Sequence, residues 1–198
     1  SQTLDDLHDA LSIAEDLDDT ELKIRAHNKL GIAYGRYEDQ NTAQAHFRYT
    51  LLNHTTKKQL ALARLNSAHL LNPDRKAHQD TALFYLREAR KTFDELNDKT
   101  NYRAATLTIA KFLLSAGQLD EAKEEYIHAL NRVRKISRQV TCLEYLGLIS
   151  TKQDLLDDAE QYLNRALLLD AERKASYRRE AYLISKLGKV LIGKGKSK

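Results

Sequence analysis

The chain has 198 residues, 42% of them hydrophobic and 30% charged, with 7 Gly, 1 Pro, 1 Cys and neither Met nor Trp. Ordinary usage is about 7% Gly and about 5% Pro, so this chain is short of the turn residues that a β-sandwich or barrel needs and is expected to be all-α. No apolar stretch approaches the roughly 18 residues of a spanning helix, the mean hydropathy is -0.59, and the net charge of +4 is unevenly distributed.

Residues 1–21 carry eight acids and no Lys or Arg. Within them, 3–17 show apolar residues at helical spacing, with Leu7, Ala10 and Leu11 on the packing face. Leu30-Gly31-x-x-Tyr34 is then followed by Ala43, Phe47 and Leu51. Between 61 and 96, Ala68 precedes Ala82, Leu86 and Ala89, with Pro73 in the turn between them. Ile109-Ala110-x-x-Leu113 is followed by Ala122, Tyr126, Ala129 and Leu130. Gly117 separates these two segments as a helix C-cap, and Asp120 is placed to cap the next helix. Leu146-Gly147-x-x-Ser150 precedes Ala159, Leu163, Ala166 and Leu167. Leu187-Gly188 repeats the first half of that pattern in a helix expected over 177–192, with a turn at 193–198. Residues 172–198 hold nine bases, Arg173, Lys174 and Lys198 among them, against two acids. Such a stretch is either a solvated tail or an attraction for an acidic partner.

In three copies the small residue of the first segment lies twelve positions before the first Ala of the second: 31 to 43, 110 to 122 and 147 to 159. Each segment carries apolar residues on one helical face, so each copy predicts a helical hairpin. A Gly or Ala in the first helix admits the second closely, while Phe47, Tyr126 or Leu163 fills the space opposite. One hairpin of this size cannot bury its apolar face alone, so neighbours must stack.

This frame resembles the tetratricopeptide repeat, with its Leu-Gly-x-x-Tyr and Ala-x-x-x-Phe-x-x-Ala helices. The small positions 31, 68, 110, 147 and 188 lie 37, 42, 37 and 41 residues apart. That spacing is similar to the long-repeat branch found in bacterial peptide-pheromone regulators, sensor regions of signalling proteins and kinesin light chains. The resemblance implies a right-handed superhelix of about nine helices in a single array over 1–198. Its parts are a lone second helix at 1–20, repeats at 24–57, 61–96, 103–136 and 140–173, and a terminal helix at 177–192, together a segment of a longer protein.

Catalytic patterns are weak. The seven histidines are scattered, with no pair at i,i+3 or i,i+4, so neither a metal site nor an acid–base pair is expected. Cys142 reads as a packed small residue, and Gly193-Lys-Gly-Lys-Ser-Lys198 follows no strand and lacks the spacing of a phosphate loop. No cofactor is implied. Tyr34 and Tyr126 occupy packing positions, and no polar position recurs from repeat to repeat, which argues against nucleic acid. The lone cysteine fits a reducing compartment, and no leader pattern is visible; the expected location is cytoplasmic, or periplasmic for part of a membrane-anchored sensor.

The resemblance also implies a concave groove lined by the first helix of each repeat. Residue by residue this gives Arg25, Asn28, Lys29, Ile32 and Arg36; then Leu62, Leu65, Asn66 and His69; then Leu107, Thr108, Lys111 and Leu114; then Glu144, Tyr145, Leu148 and Lys152; and finally Tyr182, Ser185, Lys186 and Lys189. Seven of these are Lys or Arg and one, Glu144, is acidic. The groove is therefore expected to favour an acidic protein or peptide, with Asn28 and Asn66 available to its backbone. The implied function is a non-enzymatic binding scaffold. The alternative is a sensor or regulatory region that relays peptide binding to an effector domain.

Overall fold

The structure is a computed structural model that describes residues 2–37, 39–172 and 177–196. Arg173, Lys174 and Lys198, counted above in the basic stretch, and the expected repeat end at 173 lie outside the described residues. Ten α-helices and no strand occur among the described residues: α1 (Gln2–Asp16), α2 (Thr20–Arg36), α3 (Gln40–Asn53), α4 (Lys57–Ala68), α5 (Lys76–Glu95), α6 (Lys99–Ser115), α7 (Leu119–Arg132), α8 (Ile136–Lys152), α9 (Leu156–Glu172) and α10 (Tyr177–Lys196). They match the expected parts, a single helix at each end beside four pairs, whose sum is ten rather than the round figure of about nine. Contacts divide the chain into two compact units, 1–105 and 106–198, with the division inside α6.

The first helix of each repeat starts four residues ahead of the apolar frame: 20 against 24, 57 against 61, 99 against 103 and 136 against 140. Polar caps hold most of these extra turns. Asp19 accepts from the Leu22 amide at 3.0 Å and Asp98 from the Asn101 amide at 3.1 Å. Thr56 and Gln59 bond each other's backbone reciprocally. Asp120 is not a cap, contrary to expectation. It lies in the first turn of α7 behind Gln118, and its carboxylate accepts from Gln153 Nε2 at 2.6 Å.

Glycine scarcity is met at the turns by other residues. Asp18, Asn97 and Asp154 adopt φ of 49°, 53° and 60°, the left-handed region that Asn and Asp tolerate best after Gly. Gly117, with φ of 75°, is the glycine that serves the same purpose between α6 and α7. The longer turn around Pro73 is tied down by α5, since Gln79 Nε2 donates to the Pro73 carbonyl at 2.6 Å.

In the first unit, α1 to α5 pack in succession. A Cβ placed on Gly31 would sit 2.6 Å from the Phe47 ring, so the absence of a side chain lets α3 approach α2. Ala43, Ala61, Ala68, Ala82 and Ala89 are buried on the same principle, and Leu86 fills the space left in the degenerate copy. In the second unit, α7 to α10 pack in succession. Gly147 meets Leu163 at 2.8 Å from its notional Cβ, within a core of Val140, Leu143, Ala159, Leu163, Ala166, Leu183 and Val190. Each large aliphatic side chain so buried contributes roughly 1.5–3 kcal/mol.

Gly188 departs from this scheme. It matches Gly31 and Gly147 in sequence, but nothing lies within 4 Å of its notional Cβ. Among the described residues no second helix faces it. The turn expected at 193 is also absent up to Lys196, because α10 continues through Gly193 and Gly195.

Candidate functional site

The groove positions can be followed within each unit. In the first, α2 and α4 lie side by side, and Asn66 Nδ2 donates to Asn28 Oδ1 at 3.0 Å. The two amides expected to serve a ligand backbone thus spend part of their capacity on each other. Beside them is a pocket of about 490 Å³, where Ile32, Arg36, Asn66 and His69 surround a floor of Gly31, Phe47, Gly35 and Leu70. A Cβ on Gly35 would come within 3.3 Å of Leu70, so glycine keeps this floor open. Arg25, Lys29 and Arg36 are exposed, while Asn28, Ile32, Leu62 and Asn66 are half-buried. Leu65 is a correction: at 6% exposure it belongs to the core, because it shares the inward face of α4 with Ala61 and Ala68.

In the second unit, Lys111 Nζ lies 6.0 Å from the centre of the Tyr145 ring, which itself stacks on buried Tyr126 at 4.9 Å. Burial pushes both tyrosine hydroxyls upward in pKa, so these rings act as apolar and π surfaces. Lys186 Nζ lies 5.2 Å from the Tyr182 ring. Glu144, the acid among the groove positions, faces Arg179 at 3.5 Å, and Arg179 also donates to Thr141 Oγ1 at 2.9 Å. Its charge is thereby compensated locally. Lys111, Lys152 and Lys189 are exposed, and Thr108, Leu107, Leu114 and Leu148 are half-buried. Arg179 was not among the expected groove residues; only its place two residues into α10, opposite α8, brings it there.

The structure corrects the reading of the histidines as scattered. His8, His27 and His46 converge from α1, α2 and α3. His27 Nδ1 lies 2.9 Å from His46 Nδ1, His8 Nε2 lies 2.8 Å from the Tyr34 hydroxyl, and Tyr34 stacks on His46 at 5.5 Å. Their sequence signal is an even spacing of 19 residues, one helix plus a turn, which i,i+4 counting cannot detect. A second hollow of about 550 Å³, lined by Arg48, Ser67 and Tyr85 among others, also carried no sequence signal.

Among the described residues no group of three or more His, Cys, Asp or Glu side chains has the placement to hold a metal ion. Cys142 is fully buried, and desolvation pushes its thiol up to about 11, so it is held as the unreactive thiol. No described helix is long and apolar enough to cross a membrane.

Two units of stacked helical hairpins, with cations and amides displayed on their first helices, define an all-α repeat fold. No family model matches the sequence, and no curated protein matches it. Among solved structures the chain is similar to BtubC (BKLC) from P. vanneervenii, with a TM-score of 0.77 and 17% identity, covering 98% of this chain and 84% of that one. At that identity the likeness is one of fold.

Proposed function

We propose that the chain is a non-enzymatic scaffold of tetratricopeptide-repeat type that holds an extended acidic protein or peptide segment against the exposed faces of its first helices. The observation that carries this reading is the pocket between α2 and α4. There, exposed Arg36 stands beside half-buried Asn66 and Ile32 over an apolar floor. An apolar hollow with a few convergent polar groups suits a ligand side chain, and a guanidinium at its rim can form a forked pair with a carboxylate. Exposed Arg25 and Lys29 on the same helix add to the positive field, and within the second unit Lys111 and Lys152 are exposed on first helices of their own.

Fluorescence anisotropy with labelled Asp/Glu-rich peptides, and basic scrambles as controls, tests the proposal. The acidic peptides should bind, lose affinity as salt rises, and bind roughly tenfold more weakly to Arg36→Glu or to the Lys111→Glu/Lys152→Glu pair. Equal binding of acidic and basic peptides, or affinity indifferent to both salt and these substitutions, would overturn it.

A further inference from the structure

The histidines that converge in the first unit are held there by packing. Gly31 of α2 lets the Phe47 ring of α3 come close. His27 lies one turn before Gly31 and His46 immediately before Phe47, so the same close approach sets the two imidazoles against each other. Their Nδ1 atoms are 2.9 Å apart and their ring centres 5.0 Å apart. Tyr49 stacks on His27 at 3.8 Å, 17° from parallel, and Tyr34 stacks on His46 at 5.5 Å, 11° from parallel. The Tyr34 hydroxyl is tied in turn to His8 Nε2 at 2.8 Å.

In the hydrogen-bonded pair one Nδ1 carries a proton and the other accepts it. Once that proton moves to the Nε2 of its own ring, both rings stay neutral and two Nδ1 lone pairs face one short gap. Neighbouring imidazole nitrogens around a square-planar or tetragonal ion, each bonded at roughly 2.0–2.1 Å, stand about 2.9 Å apart, whereas those around a tetrahedral ion stand about 3.3 Å apart. The separation of His27 and His46 is that of the square-planar pair. Small torsional adjustments within a rotamer well turn both lone pairs to a common point, and the stacked tyrosines keep the rings from moving further.

We infer that His27 and His46 form a two-imidazole site for a divalent ion of square-planar or tetragonal preference, copper(II) or nickel(II), which bridges α2 and α3 through the two Nδ1 atoms. Imidazole suits these ions, and copper(II) stands highest in the affinity series. With two protein ligands the site is open and exchangeable rather than a closed structural centre. Both histidines are half-buried, so water has access to complete the coordination. The five acids of α1, which packs on α2 and carries no Lys or Arg, favour the approach of a cation. An ion that binds both helices in the folded chain, and finds no such pair in the unfolded one, stabilises the first unit.

Isothermal titration calorimetry with nickel(II) chloride, and zinc(II) chloride for comparison, tests this, and electron paramagnetic resonance of the chain with one equivalent of copper(II) reports the ligands. Nickel should bind more tightly than zinc and raise the melting temperature. The copper spectrum should be tetragonal, with superhyperfine splitting from two nitrogens. His27→Gln and His46→Gln each keep a donor and an acceptor in place, and circular dichroism checks their fold. Each should weaken nickel binding by roughly tenfold or more, whereas His54→Gln, outside the cluster, should leave it unchanged. Nickel affinity untouched by both cluster substitutions means adventitious binding to other histidines and overturns the inference. Zinc bound as tightly as nickel, or a copper spectrum without two nitrogens, overturns it equally. These last two readings use the unaltered chain, so they decide the matter even where a variant misfolds. Neither histidine lines the pocket between α2 and α4, so metal binding and peptide binding are separately observable.

Discussion

The Nδ1 atoms of His27 and His46 lie 2.9 Å apart, and one of them must donate a proton that the other accepts. The pair therefore tolerates one charge at most. His27 also stacks on Tyr49 at 3.8 Å between ring centres. Burial first, and the neighbouring His46 second, hold the His27 pKa down at about 4. Burial and His8 lower that of His46.

Both native values lie below the unfolded histidine value of about 6.5, so the unfolded chain binds more protons in the intervening range. Stability should be complete above pH 6.5 and fall as the pH drops towards 4, by an amount on the order of 2 kcal/mol for His27. Denaturant melts at several pH values measure this. His46→Gln, which keeps a donor and an acceptor without a titrating group, should flatten the slope. A slope unchanged in that variant would show that the pair is not its source.

Gly147 and Gly188 occupy equivalent places in the sequence frame and differ in what they meet. Gly147→Leu drives atoms into Leu163 and should cost about 1–3 kcal/mol. Gly188→Ala meets nothing and should stabilise the monomer by about 0.5–1 kcal/mol through helix propensity. Urea midpoints that move in the same direction for both substitutions would contradict the packing described.

Asp98 caps α6 and pairs with Lys58 of α4 at 2.8 Å. The Lys58 contact, followed by the Asn101 bonds, lowers its pKa to about 2. Its contribution is thus present above the unfolded value near 3.9 and disappears as the pH falls through 2. Asp98→Ala should cost about 1 kcal/mol from the cap. Asp98→Asn keeps a capping oxygen and should cost less. Thermal melts at neutral pH compare the two, and equal costs would place the effect in the ion pair rather than the cap.

Cys142 should be silent towards an aromatic disulfide reagent in the folded chain and react at least roughly a hundredfold faster in denaturant. Its burial and a thiol pKa of about 11 both suppress the thiolate. Rapid labelling under native conditions would mean that α8 opens readily.

Helices and their inward faces were legible in the residues because helical periodicity is local: positions three and four apart decide which side is apolar. The pairing of Gly31 with Phe47 and of Gly147 with Leu163 was legible too, since a hairpin sets the offset between its own helices. Exact helix starts were not, because the capped first turns carry no apolar pattern. Leu65 was misplaced for a related reason: in the degenerate copy the frame is uncertain by a residue or two, enough to turn a side chain from groove to core.

By itself the sequence determined the fold class, the hairpin unit and the basic character of the first-helix positions. Tertiary structure alone decided what those positions do. The Asn28–Asn66 and Thr141–Arg179 bonds each join residues 38 apart, and the His27–His46 bond joins residues 19 apart. Such contacts depend on how one helix is rotated and shifted against another, and no local pattern encodes that. The same is true of Gly188, whose sequence surroundings match those of Gly147. Only the neighbouring helix tells them apart, and it is present beside one and absent, among the described residues, beside the other.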